Sequence, residues 1–251
     1  MNNLETLIQK IKQGDDITIQ FVGDSITYGL NHCKINETYV ANFATLLAAE
    51  LESYSVYRYD GVMNGELLPM ERFDGPILVS KGKGEGRIYV IKNGIGGNTV
   101  MRAYNRIGDF TGTLVNGKRP DVTFMMFGIN DALKSDASKY VDTDTFKSNY
   151  KMLLDEVRRR NPETLIIIMS ATTNDQTIEA HCEKTAELVK EENIPYIDLH
   201  KLWNDHYRAD AENFGHGDWL AGGADACHPT PKATAIMAKY IFDDFIKIIS
   251  D

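Results

Sequence analysis

Four short stretches of the sequence carry side chains suited to chemistry on a carbonyl group. Gly23-Asp24-Ser25 ends an apolar run and presents a hydroxyl beside a carboxylate. Serine attacks a carbonyl at neutral pH only when a base takes its proton. Asp225-Ala226-Cys227-His228-Pro229 offers such a base. An aspartate three residues before a histidine in a tight turn can bring its carboxylate to Nδ1–H, which fixes the tautomer and leaves Nε2 as the base. Gly128-Ile129-Asn130-Asp131 supplies a neutral amide that can donate to a developing oxyanion. Asn93 to Thr99 holds three glycines just before an expected helix, where backbone N–H groups can approach a negative ligand.

Each stretch also has a plainer explanation. Gly, Asp, Asn and Ser are turn formers. Asp225 and His228 can be an incidental ion pair on a surface turn. The glycine block competes as a phosphate loop of a flavodoxin-like nucleotide binder, although the G-x-G-x-x-G register fails at Thr99. His216, with Asp218 two residues on, ranks behind His228 as a base.

These residues need elements to hold them. Helices are expected at Asn2 to Gln13, Thr38 to Ser53, Thr143 to Arg160, Thr177 to Glu192 and Pro231 to Ile249, from apolar spacing and from stops such as Asn161-Pro162. Strands are expected at Ile17 to Val22, Arg87 to Lys92, Asp121 to Phe127, Leu165 to Met169 and Tyr196 to Leu199. This alternation predicts an α/β fold, a three-layer sandwich around a mainly parallel, flavodoxin-like sheet. In such sheets ligands bind outside the carboxyl ends of the strands, and all four stretches fall on loops after strands or just before the last helix. The whole chain is expected to form one domain. Residues from about 54 to 86 interrupt the pattern as an insertion, with a hairpin from Val79 to Ile91 around a Gly-rich tip.

Composition excludes several classes. The 251 residues carry a formal net charge of −9, which repels nucleic acid and anionic membrane. The three cysteines, Cys33, Cys182 and Cys227, are widely spaced, as in a reduced cytoplasmic protein rather than a disulfide scaffold. No apolar stretch is long enough for a membrane anchor, and the N-terminus reads as an amphipathic helix rather than a secretion signal. No metal-ligating cluster or HExxH motif is present, so no cofactor and no metal are expected.

In their order along the chain (the Ser25 block, the glycine block, the Asn130 block and the Asp225–His228 block), the four blocks resemble the GDSL, or SGNH, hydrolase family, from Ile17 onward. The matching positions are Ser25, Gly97, Asn130, and His228 with Asp225. Ala226 stands where the family often has glycine, and the insertion is longer than in minimal members. The resemblance implies an ester hydrolase working through an acyl-enzyme. Ser25 is then the nucleophile, His228 the base and Asp225 its orienting acid. The oxyanion hole comprises the N–H groups of Ser25 and Gly97 and the Asn130 amide, and Asp24 supports the turn. The expected partner is a small ester with a short acyl group, an O-acetylated carbohydrate being the first choice and a lysophospholipid or acyl-thioester the second. His216 and Trp219, with other aromatics, are candidates for the substrate mouth, and loop anchoring is the equal alternative for the aromatics. The insertion can serve as a lid or as a contact in an oligomer. A carbohydrate- or nucleotide-binding module without turnover is the rival of another class.

Overall fold

Strand β1 (Ile17–Gly23) is buried along its whole length, because its apolar residues alternate between two covered faces. The computed structural model describes residues 2–29, 33–61, 73–112, 117–172, 176–209, 219–222 and 225–250, with backbone alone at 73–74, 176–177, 207–209, 221–222 and 225–226. Around β1 lie β2 (Ser55–Gly61), β3 (Phe73–Ser80), β4 (Arg87–Gly94), β5 (Val122–Met126), β6 (Leu165–Met169) and β7 (Tyr196–Ile197), in the order β3-β2-β4-β1-β5-β6-β7. All neighbours are parallel except β3, which runs antiparallel to β2.

Helices cover both faces of the sheet. On one face α1 (Asn3–Gln13), α3 (Tyr39–Glu50) and the last helix pack against Ile19, Phe21, Phe124 and Met126. Phe21 and Phe124, on adjacent strands, stack with centroids 4.4 Å apart. On the other face α4 (Val100–Asn105) and α6 (Thr143–Arg160) pack against Val22, Met125 and Ile168. Consecutive residues such as Phe124 and Met125 thus enter different cores, as the twofold strand period requires. The α/β sandwich expected from the sequence is the observed fold.

The chain leaves β1 toward β4 and β2 on one side and toward β5, β6 and β7 on the other. The carboxyl end of β1 is therefore a switch point, where the loops on either side diverge and leave a crevice. Gly23 pairs with Gly94 on one flank and with Met126 on the other. The three loops that follow carry Ser25, Gly97 and Asn130.

The expected hairpin from Val79 to Ile91 is not formed. Strand β4 already has β1 on one edge and β2 on the other, and β3 pairs with β2 instead. Within the expected insertion β3 is the edge strand of the central sheet, and the seven-residue β2 lies inside that sheet. The charges of β2 hid it. Arg58 and Asp60 are buried and paired, with Arg58 Nε 2.9 Å from Asp60 Oδ2, and Lys92 on β4 is 3.7 Å from Asp60 Oδ1.

Candidate active site

Ser25 is the first residue of α2 (Ser25–Tyr28), a single turn that begins where β1 ends. Asp24 caps it, its Oδ1 accepting from Ile26 N at 2.9 Å. The turn lies flush on β4 because residue 94 is glycine: a Cβ there would stand 2.3 Å from Tyr28 N. At the far end of α2, Lys92 Nζ donates to the Tyr28 carbonyl at 2.9 Å. Burial pushes the Lys92 ammonium below its ordinary range, and Asp60 opposes that shift. A buried ion cluster on β2 and β4 therefore braces the turn that carries Ser25.

His228 reaches this turn from the other end of the chain. Its Nε2 lies 2.8 Å from Ser25 Oγ. The sequence suggested a tight turn around His228, and the structure has a strand instead: β8 (Leu220–Gly222) and β9 (Asp225–Pro229) form an antiparallel ribbon just before α9 (Pro231–Ser250). Trp219 roots that ribbon. Its carbonyl accepts from Thr230 N at 2.9 Å, and its buried ring meets Trp203 at 5.4 Å and His206 at 4.0 Å between centroids. Trp219 is thus anchored by side chains of α8 (Leu199–Ala209) at the root of the ribbon that carries His228. Asp225 opens β9, three residues before His228, but its side chain lies outside the described residues, as does all of His216. Cys227 Sγ sits 3.6 Å from His228 Nδ1.

The glycine block and the asparagine block are stitched together. Ile95 N donates to Gly23 O at 3.1 Å, which ties the block to the end of β1. Asn130 Nδ2 donates to Asn98 O at 3.1 Å and makes a longer contact of 3.4 Å to Asp24 Oδ2. Asp131, not singled out in the sequence, accepts from Val100 N through both carboxylate oxygens, at 3.1 and 3.3 Å. Gly97 has φ +70°, a left-handed backbone that glycine adopts without penalty. Among the described residues, the N–H groups of Ser25 and Gly97 have no acceptor. Desolvation pushes the carboxyls of both Asp24 and Asp131 up to about 7, and the Asp24 charge adds to the shift at Asp131.

A second Ser, Asp and His set, at Ser170, Asp198 and His200, has a different geometry. Ser170 Oγ donates to Asp198 Oδ1 at 3.1 Å and accepts from the backbone N of His200 at 2.8 Å, while His200 Nε2 faces Asn204. Asp198 also accepts from Lys201 N at 2.9 Å. This set caps the start of α8 (Leu199–Ala209) and puts no imidazole on the hydroxyl. No helix among the described residues is long and apolar enough to cross a membrane.

The chain resembles several solved structures. It aligns with a two-domain esterase active on acetylated mannans at a TM-score of 0.66 and 17% identity, over 99% of this chain and 53% of that one, so it spans about half of that protein. It aligns with an acetyl xylan esterase at 0.61 and 19% identity, over 90% of this chain and 98% of the other. With a Clostridium thermocellum family 3 carbohydrate esterase the values are 0.62 and 17%, over 94% and 98%. At these identities the likeness is one of fold. No curated protein matches the sequence. The sequence does match the GDSL-like lipase/acylhydrolase family over residues 21–236, a span that holds Ser25, Gly97, Asn130, Asp225 and His228. The chain belongs to that family.

Proposed function

We propose that the protein removes short acyl groups, acetyl above all, from O-acylated carbohydrates through a covalent intermediate on Ser25. The observation that carries this reading is the 2.8 Å contact between His228 Nε2 and Ser25 Oγ. At that distance the imidazole takes the hydroxyl proton as Oγ bonds to the ester carbonyl carbon. The carbonyl π electrons move onto oxygen, and the N–H groups of Ser25 and Gly97 receive the oxyanion. Asn130 Nδ2 is the third donor. Its 3.4 Å contact to Asp24 is at the long end of hydrogen bonding and is the one exchanged for the oxyanion, while the 3.1 Å bond to Asn98 O holds the amide in place.

The intermediate collapses as the C–O bond to the alcohol breaks, and His228 returns its proton to the leaving oxygen. Water then attacks the acyl-serine, with His228 again taking a proton. Breakage of the acyl–Oγ bond restores Ser25 and releases the carboxylic acid. Asp225 is assigned to hold His228 in the tautomer with Nε2 unprotonated, from its place three residues earlier on the same strand.

The acetylated-carbohydrate assignment draws on the fold shared with esterases named for acetylated mannans and xylan. A panel of esters with acyl chains of two to twelve carbons, together with O-acetylated oligosaccharides, tests it. The reading expects kcat/KM to be highest for acetyl esters and to vanish in Ser25→Ala. A maximum at long acyl chains would shift the assignment to a lipid or acyl-thioester substrate.

A further inference from the structure

Gly97 is the half-exposed member of an otherwise buried glycine block. Two cations from separate elements converge on it. A Cβ built on Gly97 would stand 3.5 Å from Arg102 Nη1 and 3.7 Å from Lys139 Nζ. Arg102 lies on α4, where its Nη1 also donates to the Gly97 carbonyl at 3.1 Å. Lys139 comes from the loop after Asn130, which closes through Val141 N donating to Asp131 O at 2.9 Å.

Their charges are incompletely neutralised. Among the described residues Arg102 forms no ion pair. Lys139 pairs with Asp136 at 3.1 Å, but that carboxylate is shared. It also accepts from Ser138 Oγ at 2.6 Å and from Ser138 N at 3.0 Å. Ser138 and then Lys139 hold the Asp136 carboxyl down at about 2, so Asp136 stays ionised and cancels one of the two cations. One positive charge remains beside the oxyanion loop of a chain whose net charge is −9. Such a local reversal of sign draws an anionic ligand to that spot, and a guanidinium with an ammonium matches a carboxylate or a phosphate.

We infer that the physiological ester carries an anionic group, a carboxylate or a phosphate, next to its scissile acyl group, and that Arg102 and Lys139 bind it. This inference rests on the esterase reading above and narrows the substrate to acidic esters. A cation that only assisted the oxyanion would favour every ester alike; a substrate-binding cation favours charged ones.

The test uses two matched pairs of acetyl esters. One pair is O-acetylated methyl galactoside against its galacturonate counterpart, and the other is glycerol monoacetate against acetyl-glycerol phosphate. Wild-type enzyme should prefer the anionic member of one pair by roughly tenfold or more in kcat/KM, the scale of a charge-assisted contact. The pair that responds tells a sugar carboxylate from a phosphate. The preference should shrink between 20 mM and 500 mM salt because exposed charges are screened. Lys139→Gln and Arg102→Gln should each pull the ratio toward one. If Arg102→Gln fails to fold, Lys139→Gln carries the test alone. Equal rates within both pairs, or a preference untouched by Lys139→Gln, would overturn the inference and leave the esterase reading standing. Absence of hydrolysis of the neutral members, together with no phosphonate labelling of Ser25, would overturn both.

Discussion

The Asp131 carboxylate accepts the backbone N–H of Val100, at 3.1 and 3.3 Å from its two oxygens, and so fastens the asparagine loop to the first turn of α4. The neighbouring Asn130 amide fastens the same two loops through Asn98 O. Gly97 and Asn130 are thereby held in one frame. Asp131→Ala leaves a buried N–H unsatisfied, at a cost of about 1–3 kcal/mol, and should lower kcat as well as melting temperature. Asp131→Asn keeps an oxygen for Val100 N and should recover most of the kcat. Steady-state kinetics on a chromogenic acetyl ester compare the two variants, and equal losses in both would deny the latch.

The same carboxylate predicts a dependence on pH. Asp24 and Asp131 are pushed by burial from the ordinary 3.8 up to about 7. The folded chain therefore holds these protons more tightly than the unfolded chain does. Stability should fall as pH rises from about 4 to about 7 and level off above, because the unfolded state ionises first. Asp131→Asn removes one of the two groups. The melting temperature of Asp131→Asn minus that of wild type should rise with pH across this window, and a pH-independent difference would contradict the shift.

Asn130→Ala removes the proposed third donor to the oxyanion, which on that reading acts chiefly in the transition state. Loss of one such donor costs about 3–4 kcal/mol, or roughly a hundred- to a thousandfold in kcat. KM should change little, since the ground-state carbonyl carries less charge. A kcat within threefold of wild type would take Asn130 out of the oxyanion hole.

Gly94→Ala probes how the nucleophile turn is seated. The new methyl would meet Tyr28 N at 2.3 Å and Asp24 O at 2.7 Å, both backbone atoms of the turn that bears Ser25. Overpacking of this kind costs about 1–3 kcal/mol. The displaced turn should lengthen the Ser25–His228 contact, so activity should fall further than the melting temperature alone explains. A calorimetric scan beside the kinetic assay separates the two effects.

What the sequence revealed follows from where each residue's partners lie. Strand β5 was legible because Val122, Phe124, Met125 and Met126 put apolar side chains on both faces. Helix α6 was legible from Thr143 to Arg160 because its stop, Asn161-Pro162, is local. Strand β2 was not, because Arg58 and Asp60 are neutralised by each other and by Lys92, thirty-odd residues away. The hairpin around the Gly-rich tip failed for the related reason that β2 competes for the edge of β4. At the site, Ser25, Gly97, Asn130 and His228 were named from their blocks, and the structure brings Ser25 and His228 into contact. Whether Trp219 lined a mouth or anchored its loop was open in the sequence, because the partners that anchor it, Trp203 and His206, lie on α8, thirteen and more residues earlier. Asp131 was passed over as a turn residue because its acceptor role depends on a helix start thirty-one residues earlier.

The central claim is that the imidazole of His228 activates the hydroxyl of Ser25. Mass spectrometry after treatment with a serine-directed phosphonate tests it most directly, on wild type and on His228→Gln. The account predicts one adduct, on Ser25, and its formation slowed in His228→Gln in step with a kcat loss of roughly ten-thousandfold or more. An adduct on another residue, or labelling of Ser25 at an undiminished rate without the imidazole, would contradict it.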